Sequence, residues 1–122
     1  MSLAADIKLK LRLPAIAAPM FLVSGPELVL AANRAGIIGT FPANNARTID
    51  ILDEWFARIN KTVQLGGLPW AVNIMVHRTY SRMQEELDLV VKHRVPIVIT
   101  ALGSPKAVVD QVHSYGGIVL AG

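Results

Sequence analysis

Cysteine is absent from this 122-residue sequence, which excludes a disulfide framework, a thiolate metal site and a cysteine nucleophile. Charge is scarce as well. Asp, Glu, Lys and Arg make up 17% of the chain, against about 25% in ordinary soluble domains. The net charge is +3 and the basic residues are scattered, so no basic patch marks a nucleic-acid surface. No apolar run approaches the roughly 20 residues of a membrane span. The opening Met1-Ser2-Leu3 lacks the charged-then-apolar pattern of a signal peptide. The expectation is a cytoplasmic chain that binds neither nucleic acid nor membrane. Apolar side chains are plentiful, at 52%. In a chain of one-domain length, that composition suits buried parallel strands or a piece of a larger body.

Strand and helix signals alternate along the chain. Ile7, Leu9, Leu11 and Leu13 alternate with Lys8, Lys10 and Arg12, a period of two with one wet face. Pro14 stops it. Ala15-Ile16-Ala17-Ala18 reads as a first strand ending at Pro19-Met20. Ser24-Gly25-Pro26-Glu27 has the form of a capping box with proline in the first turn and starts a helix through Ala35. Gly36 is the natural stop. Ile37–Phe41 is a second strand, and Thr48 can cap a helix carrying Leu52, Trp55, Phe56 and Ile59 at helical spacing. The link Leu65-Gly66-Gly67-Leu68 leads to Pro69–Val76, the third strand. Ser81 opens a helix with Met83, Leu87, Val90 and Val91 on one face; Val95–Thr100 is the fourth strand. Gly103-Ser104-Pro105 opens a last helix with Val108, Val112 and Tyr115 inward. Gly116 closes it before a fifth strand, Ile118–Ala121.

The order is βαβαβαβαβ with short links, and right-handed crossovers make all five strands parallel. A flavodoxin-like sheet has this strand count. It normally ends in a covering helix, which this pattern lacks, and its response-regulator version needs strand-end acids. The first half of a TIM (β/α)8 barrel, which runs to about 250 residues in full, suits an order that ends on an apolar strand. We therefore read residues 1–122 as one N-terminal half-barrel, from the first to the fifth strand. Such a half would leave two bare strand edges through which two copies can pair as a homodimer.

In either fold, ligands bind at the carboxyl ends of the strands. Those ends are poor in acids. All nine carboxylates lie in the N-terminal lead or on helices, so paired-carboxylate chemistry and a carboxylate-held metal have no support. His93 and His113 fall on helices and His77 in a loop, with no metal-ligand spacing among them. Ser24, Ser81 and Ser104 read as helix caps, since none has a base beside it. No Walker or dinucleotide fingerprint is present; Gly36-Ile37-Ile38-Gly39 has the wrong spacing. Gly103, ahead of a helix, reads as a turn or as an approach point for an anion. The exception to this plainness is Asn73. A primary amide inside an apolar strand costs about 1–3 kcal/mol if unpaired, so it needs a neighbouring strand or a ligand. A mouth of apolar side chains, backbone amides and one side-chain amide suits a flat, partly apolar cofactor.

Ala17-Ala18-Pro19-Met20, Ser24-Gly25-Pro26-Glu27-Leu28 and Ala35-Gly36-Ile37-Ile38-Gly39 together resemble the opening of the nitronate monooxygenases, formerly 2-nitropropane dioxygenases. Ala71-Val72-Asn73-Ile74 resembles their third strand. Pro96–Thr100 with Gly103-Ser104-Pro105 resembles their fourth strand and its loop. The resemblance covers nearly the whole chain in order, and flavin-dependent enoyl-carrier-protein reductases share the same first half.

The resemblance implies an FMN-containing TIM barrel. It implies that Ala18, Pro19 and Met20 lie against the flavin, largely through backbone groups. Asn73 would hydrogen-bond the flavin, and Thr100 and Gly103 would border the ring or substrate space. The family's catalytic histidine and glycine-rich phosphate grip belong to its second half, so no catalytic residue and no metal ligand is assigned to this chain, which alone is expected to be inactive. The implied reaction is oxidation of an alkyl nitronate by O2 to a carbonyl compound and nitrite. The alternatives are an FMN-dependent NAD(P)H reductase of the enoyl-reductase type and a non-catalytic half-barrel that self-associates.

Overall fold

The computed structural model describes residues 10–63 and 67–121. In chain order they form β1 (Ile16–Ala17), α1 (Pro26–Ala35), β2 (Ile38–Pro42) and a short 3-10 turn (Ala43–Asn45). Then follow α2 (Ile49–Val63), β3 (Ala71–Met75), α3 (Met83–His93), β4 (Ile97–Ala101), α4 (Lys106–His113) and β5 (Ile118–Ala121). All four strand pairings are parallel, and the spatial order is β1-β2-β3-β4-β5. A flavodoxin-like sheet would place β2 outside β1. The observed order, with each helix packed beside the next, is that of half a (β/α)8 barrel.

Register separates the two faces. The row Phe41–Val72–Val98 and the row Ile74–Thr100 turn toward the helices, where Val29, Leu52, Phe56, Leu87, Val90, Val108 and Val112 complete the main core. Phe41 is its centre: it stacks on Trp70 at 6.4 Å, meets Trp55 edge-on at 5.5 Å and touches Phe56 at 5.9 Å. The alternate rows, Thr40–Ala71–Ile97–Ile118 and Pro42–Asn73–Ile99–Leu120, form the opposite face. Ile38, Ala71 and Ile97 make a smaller cluster there with Leu11. Leu120 is 40% exposed and Ile16 41%, so much of this face is uncovered.

Local signals behave unevenly. Gly36 takes φ 85° as the α1 stop, and Thr48 Oγ1 accepts the Ile51 N–H at 3.1 Å. Gly39 is required by packing, because a Cβ there would stand 2.6 Å from Val29 Cα. Ser24 does not cap α1. The N-cap is Gly25, without a side-chain bond, and Ser24 Oγ instead accepts the Met20 N–H at 2.9 Å. Ser81 does not cap α3, whose N-cap is Arg82, again without a side-chain bond. Ser104 Oγ accepts the Lys106 N–H at 3.3 Å, with Pro105 as the N-cap of α4. Of the alternating lead, Ile7 and Leu9 lie outside the described residues, as do Leu65 and Gly66 of the link. Leu11 to Leu13 form no strand; Arg12 N–H instead bonds the Gly36 carbonyl at 2.8 Å.

Candidate functional site

Parallel strands bring all their carboxyl ends to one rim. The loop after β1 is the most exposed apolar feature there: Met20 is 45% exposed, Phe21 62%, Leu22 79% and Val23 70%. Leu102, in the loop after β4, adds another exposed side chain. Both Leu22 and Leu102 sit at φ 64°, a left-handed conformation that costs a branched residue strain and is held by its surroundings.

Asn73 points to the open face, in register with Pro42 and Ile99. Its Nδ2 donates to the Ile99 carbonyl at 3.0 Å. That bond fixes the amide's orientation, since a carbonyl accepts only from the NH2 end. Oδ1 has no partner among the described residues and stands on the open face as an acceptor. Thr40, on the same face, is buried with its Oγ1 likewise unpartnered among them.

The other predicted positions fall as follows. Ala18 is exposed and Pro19 half-buried. Met20's backbone is fully engaged within its own loop. Its N–H goes to Ser24 Oγ, and its carbonyl accepts from Val23 N, Ser24 N and Asn45 Nδ2. What Met20 offers a ligand is therefore its side chain rather than its backbone. Thr100 shares a row with Ile74 on the helix-facing side, 1% exposed, and its Oγ1 is unpartnered among the described residues. Its side chain turns away from the open face. Gly103 is exposed, and a Cβ there would come within 3.0 Å of the Val76 carbonyl oxygen. The glycine lets the β4 loop pass close to the end of β3.

Three residues that the sequence did not single out organise the rim. Asn45 makes three hydrogen bonds to the β1 loop. Arg82 Nη1 donates to the carbonyls of Ala46 at 2.9 Å and Arg47 at 3.3 Å. Glu86 is fully buried; its Oε2 accepts the Tyr80 O–H at 2.6 Å and lies 3.3 Å from Arg82 Nε, an ion-pair distance without hydrogen-bond alignment. Burial pushes the Glu86 carboxyl above its ordinary value, and the Tyr80 and Arg82 partners only partly offset this. Burial and the bond to Glu86 likewise push the Tyr80 phenol up.

The side chains of His77 and His93 take no part in these contacts. His77 Nδ1 bonds its neighbour Thr79 at 2.6 Å in an exposed turn. His93 pairs with Asp53 at 2.5 Å on the outer layer, with its ring edge-on to Phe56. No group of His, Asp and Glu among the described residues has a metal-binding arrangement. A shallow hollow of about 200 Å³ lined by Arg94, Pro96, Tyr115, Gly116 and Gly117 lies at the amino ends of β4 and β5. That is opposite the rim where ligands bind in this fold.

Fold and rim thus define a half-barrel of the (β/α)8 class with an apolar mouth and one presented amide acceptor. Comparison of structures agrees with the fold. The chain is similar to FabK from Thermotoga maritima, with a TM-score of 0.79 and 20% identity over 99% of this chain. It is similar also to a point mutant of that protein, with a TM-score of 0.78 at the same identity. It spans 37% and 39% of the length of those chains. No family model matches the sequence, and no curated protein matches it. No described helix is long and apolar enough to cross a membrane.

Proposed function

We propose that the chain is the N-terminal half of an FMN-dependent oxidoreductase of the nitronate monooxygenase type, acting in the cytoplasm on a small nitronate and O2. One observation carries this reading. The ordered motifs that resemble that family, at Ala17–Met20, Ala71–Ile74 and Pro96–Pro105, fall in chain order on β1, β3 and β4 of a parallel half-barrel and on the rim loops after β1 and β4.

The residues present fit the ring portion of the cofactor. Met20 and Phe21 supply exposed apolar surface, and Asn73 Oδ1 supplies an acceptor for a ring N–H. Ala18 and Pro19 would border the ring through their backbone and Gly103 through its loop. Thr100 would contribute through its backbone, given where its side chain points. Bound FMN would supply the redox chemistry by which nitronate and oxygen become a carbonyl compound and nitrite. This chain's part is to orient the ring through Asn73 and to exclude water with the apolar loop. The phosphate grip and the catalytic base are assigned to the remainder of the barrel.

A second reading, an FMN-dependent NAD(P)H reductase of the enoyl-carrier-protein type, is equally consistent with the likeness to FabK. Anaerobic mixing of the FMN-loaded full-length protein with a nitronate, and separately with NADH, decides between them. Bleaching of the flavin by the nitronate is expected. Bleaching by NADH alone would transfer the proposal to the reductase, and a full-length protein that takes up no FMN would defeat both.

A further inference from the structure

The Met20–Val23 segment leaves four apolar side chains in solvent, and Leu22 lies in the left-handed region. Such a loop needs bonds from elsewhere to keep one shape. Its local ties are Ser24 Oγ on the Met20 N–H and two backbone bonds to the Met20 carbonyl. The remaining ties come from one side chain more than twenty residues away. Asn45 Oδ1 accepts the Leu22 N–H at 2.9 Å, while Nδ2 donates to the Met20 carbonyl at 3.0 Å and the Ser24 carbonyl at 2.8 Å. Both donor hydrogens and the acceptor of the amide thus serve one loop. Asn45 is itself held as the last residue of the 3-10 turn, which the Ala46 N–H closes by donating to the Ala43 carbonyl at 3.2 Å. The next two carbonyls, of Ala46 and Arg47, are gripped by Arg82 beside buried Glu86. The loop after β1 is tied to the loop after β2, which is tied in turn to α3.

We propose that Asn45 is a positioning residue for the mouth, fixing the Met20–Val23 loop in the shape that receives the ligand, with Arg82 holding Asn45 in place. The ligand consequence rests on the flavin reading above; the loop assignment does not. A carboxylate cannot replace the amide, because Asn45→Asp would aim lone pairs at the Met20 and Ser24 carbonyls where donors are required.

The test uses the full-length protein with two readouts. The first is hydrogen exchange at the Leu22 amide, which is expected to be protected in the unaltered protein despite the exposure of its side chain, and to exchange faster in Asn45→Ala and Asn45→Asp. The second is FMN affinity by fluorescence quenching. It is expected to weaken roughly tenfold or more in both variants, with Asp at least as damaging as Ala. Arg58→Ala, which removes only an exposed ion pair to Glu27, should leave both readouts unchanged. An unprotected Leu22 amide in the unaltered protein overturns the assignment even if the variants fail to fold. Faster exchange with unchanged FMN affinity overturns the role toward the ligand. If the unaltered protein binds no FMN, the flavin reading falls, and exchange at Leu22 alone decides whether Asn45 positions the loop.

Discussion

Two carboxylates carry opposite pH signatures. Asp53 accepts from His93 and Lys92, and these bonds hold its carboxyl below its ordinary value of 3.8. A lowered acid contributes stability that is present above its unfolded pKa and lost as pH falls through the folded one. Thermal melts of the Asp53→Asn variant should therefore fall below those of the unaltered protein near neutrality and converge with them as the pH drops below 3.8 and through the lowered folded value. Glu86 is the reverse. Burial raises its pKa, so the folded state holds the proton more tightly and stability erodes as pH rises from 4.5 through the folded value. Removing the carboxyl altogether is worse than keeping it, because Tyr80 O–H and Arg82 then lose their shared partner. Glu86→Ala should cost about 3 kcal/mol in urea titration. Glu86→Gln, which still accepts from Tyr80, should cost less; equal losses would show that the Tyr80 bond contributes little.

At the scale of elements, the half-barrel depends on how closely its layers approach. Gly39 lets β2 lie against α1, and the nearest atoms to an added Cβ are the Val29 backbone. Gly39→Ala should cost about 1–3 kcal/mol by forcing those elements apart, with the loss visible in the urea midpoint. Phe41 joins β2 to α2 and to the approach of β3 through three aromatic contacts. Its removal as Phe41→Ala should cost roughly 3–5 kcal/mol, a large part of the 5–15 kcal/mol that holds an ordinary domain together. The helix starts were only partly legible. Thr48 lies next to the orphan amides it caps, so local sequence suffices. Ser24 lies equally close to α1, but its hydroxyl goes to the Met20 N–H. That choice is made by the shape of the preceding loop, which no capping pattern encodes.

The whole molecule presents an uneven surface. Its helix-facing side is a closed aromatic and aliphatic core, while the opposite side leaves Ile16 and Leu120 about two-fifths exposed and β1 and β5 with unpaired edges among the described strands. An apolar face with bare edges is an association surface. The 122-residue chain on its own should therefore be dimeric or larger in light scattering, and Leu120→Lys should shift it toward monomer. A monomer at all concentrations before substitution would refute that expectation. The same chain should bind FMN weakly, since only the ring-facing residues are assigned to it.

Alternating apolar strands and amphipathic helices, separated by Gly36, Thr48 and Gly116, were enough to establish a parallel βα order, because period and punctuation are local properties. The sequence also marked Asn73, since an amide in an apolar strand is costly wherever it sits. Tertiary structure alone decided the rest. Ile97–Ala101 is apolar on both faces, so only register with β3 shows that Thr100 turns to the helices. The side chain that ties the Leu22 N–H to the Met20 and Ser24 carbonyls is that of Asn45, more than twenty residues along the chain. Hydrogen bonds between distant loops depend on how the strands are ordered in space, and that order exists only once the sheet has formed.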